Sequence, residues 1–262
     1  MTYCAAVHVE QGLVFVSDSR TNAGVDQLST YSKMFRFGVP GHGALVLLTA
    51  GNLATTQAVV KSLTKDIDEG AQLNLASVSS IDEAVAYVGT RSVHQQRKHA
   101  NTTAGSSVDI SASYILGGQI GSEEPAIYLI YPEGNYIAAT DRTPYQQIGE
   151  VKYGKPILDR IISTSTSLEE AALCALVSMD STMRSNATVG PPVELLAYER
   201  DTLVLHEPMR LEADDSYLLE LRSAWERELR RGFAALPRPA IRPSASPGGD
   251  AQIRVLSERR EK

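Results

Sequence analysis

Thr2 follows the start methionine and opens the apolar run Tyr3-Cys4-Ala5-Ala6-Val7-His8-Val9. Loss of Met1 leaves a hydroxyl and a free α-amine on one residue. An α-amine titrates near ~7.7–8.0, so it can take the hydroxyl proton and make the oxygen a nucleophile. A small second side chain is what methionine-trimming enzymes accept. Many chains begin Met-Thr with no such role, so position alone decides nothing. Asp18 and Arg20 stand in Ser17-Asp18-Ser19-Arg20-Thr21, Lys33 opens a strand-like run, and Gly51 lies in Thr49-Ala50-Gly51-Asn52 ahead of a helical pattern. An ammonium beside a threonine hydroxyl lowers the cost of its alkoxide, and a buried carboxylate keeps that ammonium in place and charged. A glycine N–H at a helix start can stabilise an oxyanion. Each group also has a plainer reading. Asp18 could cap a turn with Arg20 as its exposed partner, Lys33 could be a solvated strand lysine, and Gly51 a turn glycine.

The elements that must position these groups are readable in outline. Thr2 to Val9 and Leu13 to Val16 are two strands around the turn Glu10-Gln11-Gly12. Their near-continuous apolar character predicts a sheet covered on both faces. Lys33 to Phe37 and Gly43 to Thr49 are further strands. Val60, Leu63 and Ile67 recur at helical spacing from Leu53 to near Gly70. Ser80-Ile81-Asp82-Glu83 and Ser167-Leu168-Glu169-Glu170 are capping-box patterns that start helices. Between them lie strands at Ser113 to Leu116, ending in Gly117-Gly118, and at Ala126 to Tyr131, with Tyr136 to Ala139 returning as a hairpin, and a helix from Lys155 to Ser163. Val193 to Tyr198 and Thr202 to His206 read as another hairpin. A last helix covers Asp215 to Arg231, with Leu218, Leu221, Trp225 and Leu229 inward. Strands, helices, strands, helices and strands in that order predict an α+β domain built in layers. The expected division is a folded domain over 1–235 and a Pro- and Arg-rich disordered tail over 236–262, marked by Pro237, Pro239, Pro243 and Pro247.

Composition narrows the classes. A chain of 262 residues with 43% hydrophobic and 21% charged residues is long enough to bury a core without staples. Its formal charge of −6 argues against nucleic acid as a partner. No stretch approaches the ~18 apolar residues that a membrane span needs. The N-terminus lacks the basic start and apolar run of a secretion signal. The two cysteines, Cys4 and Cys174, lie far apart without metal-ligand spacing, which together predicts a cytoplasmic protein with no metal and no cofactor. Cys4 is interior to the first strand and reads as a buried thiol. His94 and His99 share a helical segment with Arg97 and Lys98 and read as a solvated helix end.

On Thr2, Asp18 with Arg20, Lys33 and Ala50-Gly51, the chain resembles proteasome-type β-subunits, members of the N-terminal-nucleophile hydrolases. The words Thr2-Tyr3-Cys4-Ala5, Ser17 to Gly24 and Ile148 to Leu158 are similar to the bacterial branch called Anbu, and the likeness runs from Thr2 to Tyr198. The resemblance implies a four-layer αββα sandwich and a threonine-type peptidase that hydrolyses peptide or protein substrates. It implies that Thr2 attacks, Lys33 lowers the hydroxyl pKa, Asp18 orients Lys33 and Gly51 binds the oxyanion. It further implies that Arg20, Thr49 and Leu53 line the substrate pocket, and that the chain assembles as a homo-oligomer, an open ring or a shallow spiral. Apolar residues near Val59, Val60 and Leu63 and around Trp225 add an expectation of contacts between subunits.

The chain departs from the family pattern at two places. Where β-subunits have a serine after the glycine matched by Gly149, it has Glu150. The later Asp-x-x-Ser-Gly aligns with Asn186-Ala187-Thr188-Val189-Gly190, which lacks both the acid and the serine. These changes keep other readings open: a non-catalytic assembly or peptide-binding subunit, or an amidase for small substrates.

Overall fold

The computed structural model describes residues 2–22, 28–102 and 109–239. Met1 and most of the expected tail, 240–262, lie outside them. The described residues form two compact units that part between Trp225 and Glu226. Strands in the first unit are β1 (Tyr3–Val9), β2 (Gly12–Asp18), β3 (Arg20–Asn22), β4 (Leu28–Thr30), β5 (Met34–Val39) and β6 (Gly43–Gly51). After helices α1 (Leu53–Asp68) and α2 (Ile81–Thr102) come β7 (Ala112–Ile120), β8 (Ala126–Ile130), β9 (Tyr136–Ala138) and β10 (Tyr145–Gly149). Helices α3 (Lys155–Ile161) and α4 (Leu168–Ser185) precede β11 (Val193–Glu199) and β12 (Met209–Leu211). The helix α5 (Ser216–Ala234) begins in the first unit.

Two five-stranded antiparallel sheets carry the fold, ordered β10-β1-β2-β11-β12 and β5-β6-β7-β8-β9. Alternation along the strands divides the apolar residues. Tyr3, Ala5, Val7 and Val9 of β1 pack with Leu158 of α3 and Ala171, Ala175 and Met179 of α4. Leu45 and Leu47 of β6 pack with Val59 and Leu63 of α1 and Val85 and Val88 of α2. The opposite faces meet in a third cluster, where Cys4, Ala6, Leu13 and Phe15 join Ala44, Val46, Leu48, Ile115 and Ile127. Both faces of these strands are therefore buried, which is why their sequences run apolar without a break.

The capping box at Ser167 is complete. Its side chain accepts the Glu170 N–H and the Glu170 carboxylate accepts the Ser167 N–H, an arrangement worth about 1 kcal/mol. At Ser80 only half forms: Ser80 Oγ accepts the Glu83 N–H, while the Glu83 carboxylate reaches Ser79 instead.

The structure corrects four expectations. The strand read as ending at Gly117-Gly118 runs on to Ile120, because Gly118 to Ile120 pair with Leu45 to Gly43 of β6; Gly117 is glycine because the Phe15 ring packs where its side chain would stand. Thr202 to His206 is not a strand. Asp201 and Leu203 take positive φ, and β11 pairs instead with Met209–Leu211. Leu229 is 51% exposed rather than inward. Val59 and Leu63 are fully buried in their own subunit, so they give no argument for contacts between subunits.

Candidate active site

Three strands, β1, β2 and β10, meet at Thr2. The residue leads into β1, which is flanked by β2 on one side and β10 on the other. Its carbonyl accepts the Glu150 N–H at 2.7 Å. Gly149 makes this approach possible: it has φ +82, and a Cβ there would lie 2.0 Å from the Thr2 carbonyl oxygen. Side chains are excluded at that point by contact and by backbone conformation alike.

Asp18 closes β2 and is wholly buried. Its Oδ1 accepts Lys33 Nζ at 2.6 Å and the Tyr3 N–H at 3.0 Å, and its Oδ2 accepts the Gly190 N–H at 3.2 Å. Burial pushes the carboxyl above the usual carboxylate range, and the Lys33 ammonium with these N–H donors pulls against it. Lys33, 5% exposed, sits just ahead of β5. It also donates to the Arg20 carbonyl at 2.7 Å, and its own carbonyl accepts the Thr49 N–H at 3.0 Å. The lysine is thereby tied to both of the other segments named in the sequence, 17–21 and 49–52.

Thr2, Lys33, Gly51, Arg20, Thr49 and Leu53 all line one cleft of about 670 Å³. Asp18 stands behind Lys33 and does not line it. Gly51 ends β6 at the start of α1, whose N-cap is Asn52, with Asn52 Oδ1 accepting the Thr55 N–H at 3.1 Å. Arg20 starts β3 and donates from Nη1 to the Ala187 carbonyl at 2.7 Å. Part of its guanidinium is therefore spent on the 186–190 loop. Gln57, Val60 and Lys61 also line the cleft. Sequence reading missed them, although their spacing from Leu53 along α1 puts all of them on one helical face. Tyr31, Ser32 and Phe35 complete that wall.

The two departures from the family pattern meet each other. Asn186 caps the C-terminus of α4 and donates from Nδ2 to Glu150 Oε2 at 3.1 Å. Its Oδ1 accepts both the N–H and the hydroxyl of Thr188, at 3.0 and 2.6 Å. A buried network flanks the site: Tyr3 Oη meets Ser178 Oγ at 2.6 Å and accepts Gln147 Nε2 at 2.6 Å. Burial pushes the Tyr3 phenol up to about 12. Cys4 is wholly buried and its thiol, raised by the same burial, points to the Thr49 carbonyl. His99 is no simple solvated end, since its Nδ1 meets Thr55 Oγ1 at 3.0 Å. Among the described residues no cluster of His, Cys, Asp and Glu could hold a metal, and no helix is long and apolar enough to cross a membrane.

No family model and no curated protein matches the chain. Solved structures do. Anbu (ancestral beta-subunit) from Yersinia bercovieri is 43% identical, with 92% of this chain and 100% of that chain covered and a TM-score of 0.86. The structure described as the helical assembly of the Anbu complex from Pseudomonas aeruginosa is 48% identical over 94% of this chain and 100% of that one, with a TM-score of 0.87. Anbu from Hyphomicrobium sp. strain MC1 is 43% identical over 92% and 100%, with a TM-score of 0.82.

Proposed function

Since the chain belongs to the Anbu (ancestral beta-subunit) family, we propose that it is a threonine-type peptidase whose nucleophile is Thr2 after loss of Met1. One observation carries this reading. Lys33 and Thr2 line the same cleft, and the lysine is fixed there by Asp18 at 2.6 Å. In the proposed reaction the Thr2 hydroxyl attacks the scissile carbonyl while the α-amine takes its proton. The Lys33 ammonium lowers the cost of the developing alkoxide, and Asp18 keeps that ammonium charged and aimed. The Gly51 N–H, beside the N-terminus of α1, receives the oxyanion. The protonated amine then returns its proton to the leaving amine, and water hydrolyses the ester on Thr2. Arg20, Thr49 and Leu53 bound the substrate's path.

We also read the layering as a four-layer αββα sandwich, supported by the three separate apolar clusters. Assembly into a homo-oligomer is the second part of the reading. The Pseudomonas relative, described as a helical assembly, supports it. A non-catalytic assembly subunit is the rival, and the same observation favours it. Intact mass after treatment with a peptide epoxyketone separates the two. Such a probe closes a ring only on a residue carrying both a hydroxyl and a free α-amine. An adduct on Thr2 supports the peptidase. An intact chain that keeps Met1 and takes up no probe favours the assembly subunit.

A further inference from the structure

Glu150 is a carboxylate in an unusual position. It is 8% exposed. Among the described residues its side chain has one hydrogen bond, from the neutral amide of Asn186. It has no ion pair there. A charge removed from water at such a place calls for a counter-charge. The backbone shows where one would arise. Glu150 N–H donates to the Thr2 carbonyl at 2.7 Å, and the register Tyr3↔Gly149 sets Glu150 opposite Thr2 across the β10–β1 pair. Directly opposed residues of antiparallel strands are close neighbours.

We infer that Glu150 is the counter-charge of the α-ammonium that loss of Met1 creates on Thr2, and that Asn186 fixes the carboxylate for this role. The inference rests on the maturation step of the proposed function and goes beyond it. Asn186 occupies Oε2 and leaves Oε1 for the amine. Thr188 holds Asn186 in turn, through two bonds to Oδ1. Glu150 is a positioning residue. It does not reach the reacting carbonyl, but it sets the orientation and proton affinity of the group that acts as base. Among the described residues, the charged and titratable groups that line the cleft with Thr2 are Arg20 of β3, Tyr31, Lys33 ahead of β5 and Lys61 of α1, with Asp18 of β2 behind Lys33 and Glu150 across the β10–β1 pair. Asp18 and Lys33 offset each other. Arg20 and Lys61 favour the neutral amine, and Glu150 favours the ammonium.

The test reads the amine directly. Full-length chain starting at Thr2 is released from a cleavable N-terminal fusion, as wild type, Glu150→Gln and Asn186→Ala. Each is reductively methylated with ¹³C-formaldehyde, and the N-terminal dimethylamine is titrated by NMR. Its pKa is expected to fall by about one pH unit in Glu150→Gln, as loss of a neighbouring carboxylate requires, and by less in Asn186→Ala. Thermal melts of the same samples establish that the variants fold. A folded Glu150→Gln with an unchanged amine pKa overturns the inference. If Glu150→Gln does not fold, Glu150→Ala takes its place, and an unchanged pKa in that folded variant overturns the inference equally. The titration needs no turnover, so a chain that cleaves nothing still reports the pairing, and the two readings fail separately.

Discussion

Asp18 Oδ1 accepts the Tyr3 N–H at 3.0 Å, so the carboxylate that anchors Lys33 also anchors the residue next to Thr2. One oxygen thus ties the start of β1, next to Thr2, to the ammonium that shares its cleft. Asp18→Asn keeps the shape and removes the charge. Breaking a buried ion pair typically costs about 3–5 kcal/mol, which urea unfolding will show. Turnover is expected to fall by about 10²-fold or more, because the lysine loses its hold. Equal activity in Asp18→Asn would remove Asp18 from the proposed mechanism.

Thr2→Ala should abolish both turnover and the epoxyketone adduct, whereas Thr2→Ser should retain the adduct. Intact mass reads this without a known substrate. An adduct that persists in Thr2→Ala would place the nucleophile elsewhere.

The base works only when unprotonated, so kcat/KM should rise with pH and level off above the amine's own pKa, near ~8 before any local shift. On the acid side burial works in the same sense. Asp18 has its carboxyl raised, so it is neutralised at a higher pH than an ordinary carboxylate, and the hold on Lys33 is lost earlier as pH falls. A rate that stays level down to the ordinary carboxylate range would exclude the amine as base.

Gly149→Ala sets a side chain against the Thr2 carbonyl, at a φ of +82. The left-handed conformation alone costs about 1–2 kcal/mol, and the contact adds to it. We expect β10 to be pushed off β1 at its end, with a lower melting temperature and a loss of activity larger than the loss of stability explains. A variant with wild-type melting and rate would mean that the 149–150 segment does not position Thr2.

The proposed assembly predicts species several times the 28.3 kDa chain in sedimentation velocity at micromolar protein. A single 28.3 kDa boundary across concentration and salt would overturn it.

The helices were the most legible part of the sequence. Leu53–Asp68 follows from the spacing of Val60, Leu63 and Ile67, and α4 from its capping box. The strands that close the site were harder. β3 and β4 are three residues each, too short for periodicity, and among the described residues they pair only with each other. β10 carries Gln146 and Gln147 between buried Tyr145 and Ile148, so its apolar signal is weak. β12 was displaced because positive φ at Asp201 and Leu203 breaks the run that looked like a strand. Within the site, Thr2, Asp18, Lys33 and Gly51 had meaning in sequence only as a set, since each alone reads as an ordinary surface or turn residue. The bond between Glu150 and Asn186 was not legible at all. They lie 36 positions apart and looked like two separate losses until the fold brought them together.

Strand β1 is interior to its sheet, with β2 along one edge and β10 along the other. Thr2 lines the cleft at the head of this strand, so anything joined to its amine blocks the group that acts as base. An affinity handle on that end would therefore act as a plug, and its removal would be a switch. A handle on the opposite end of the chain leaves the Thr2 amine unblocked, so the choice of tag decides which form of the protein an assay sees.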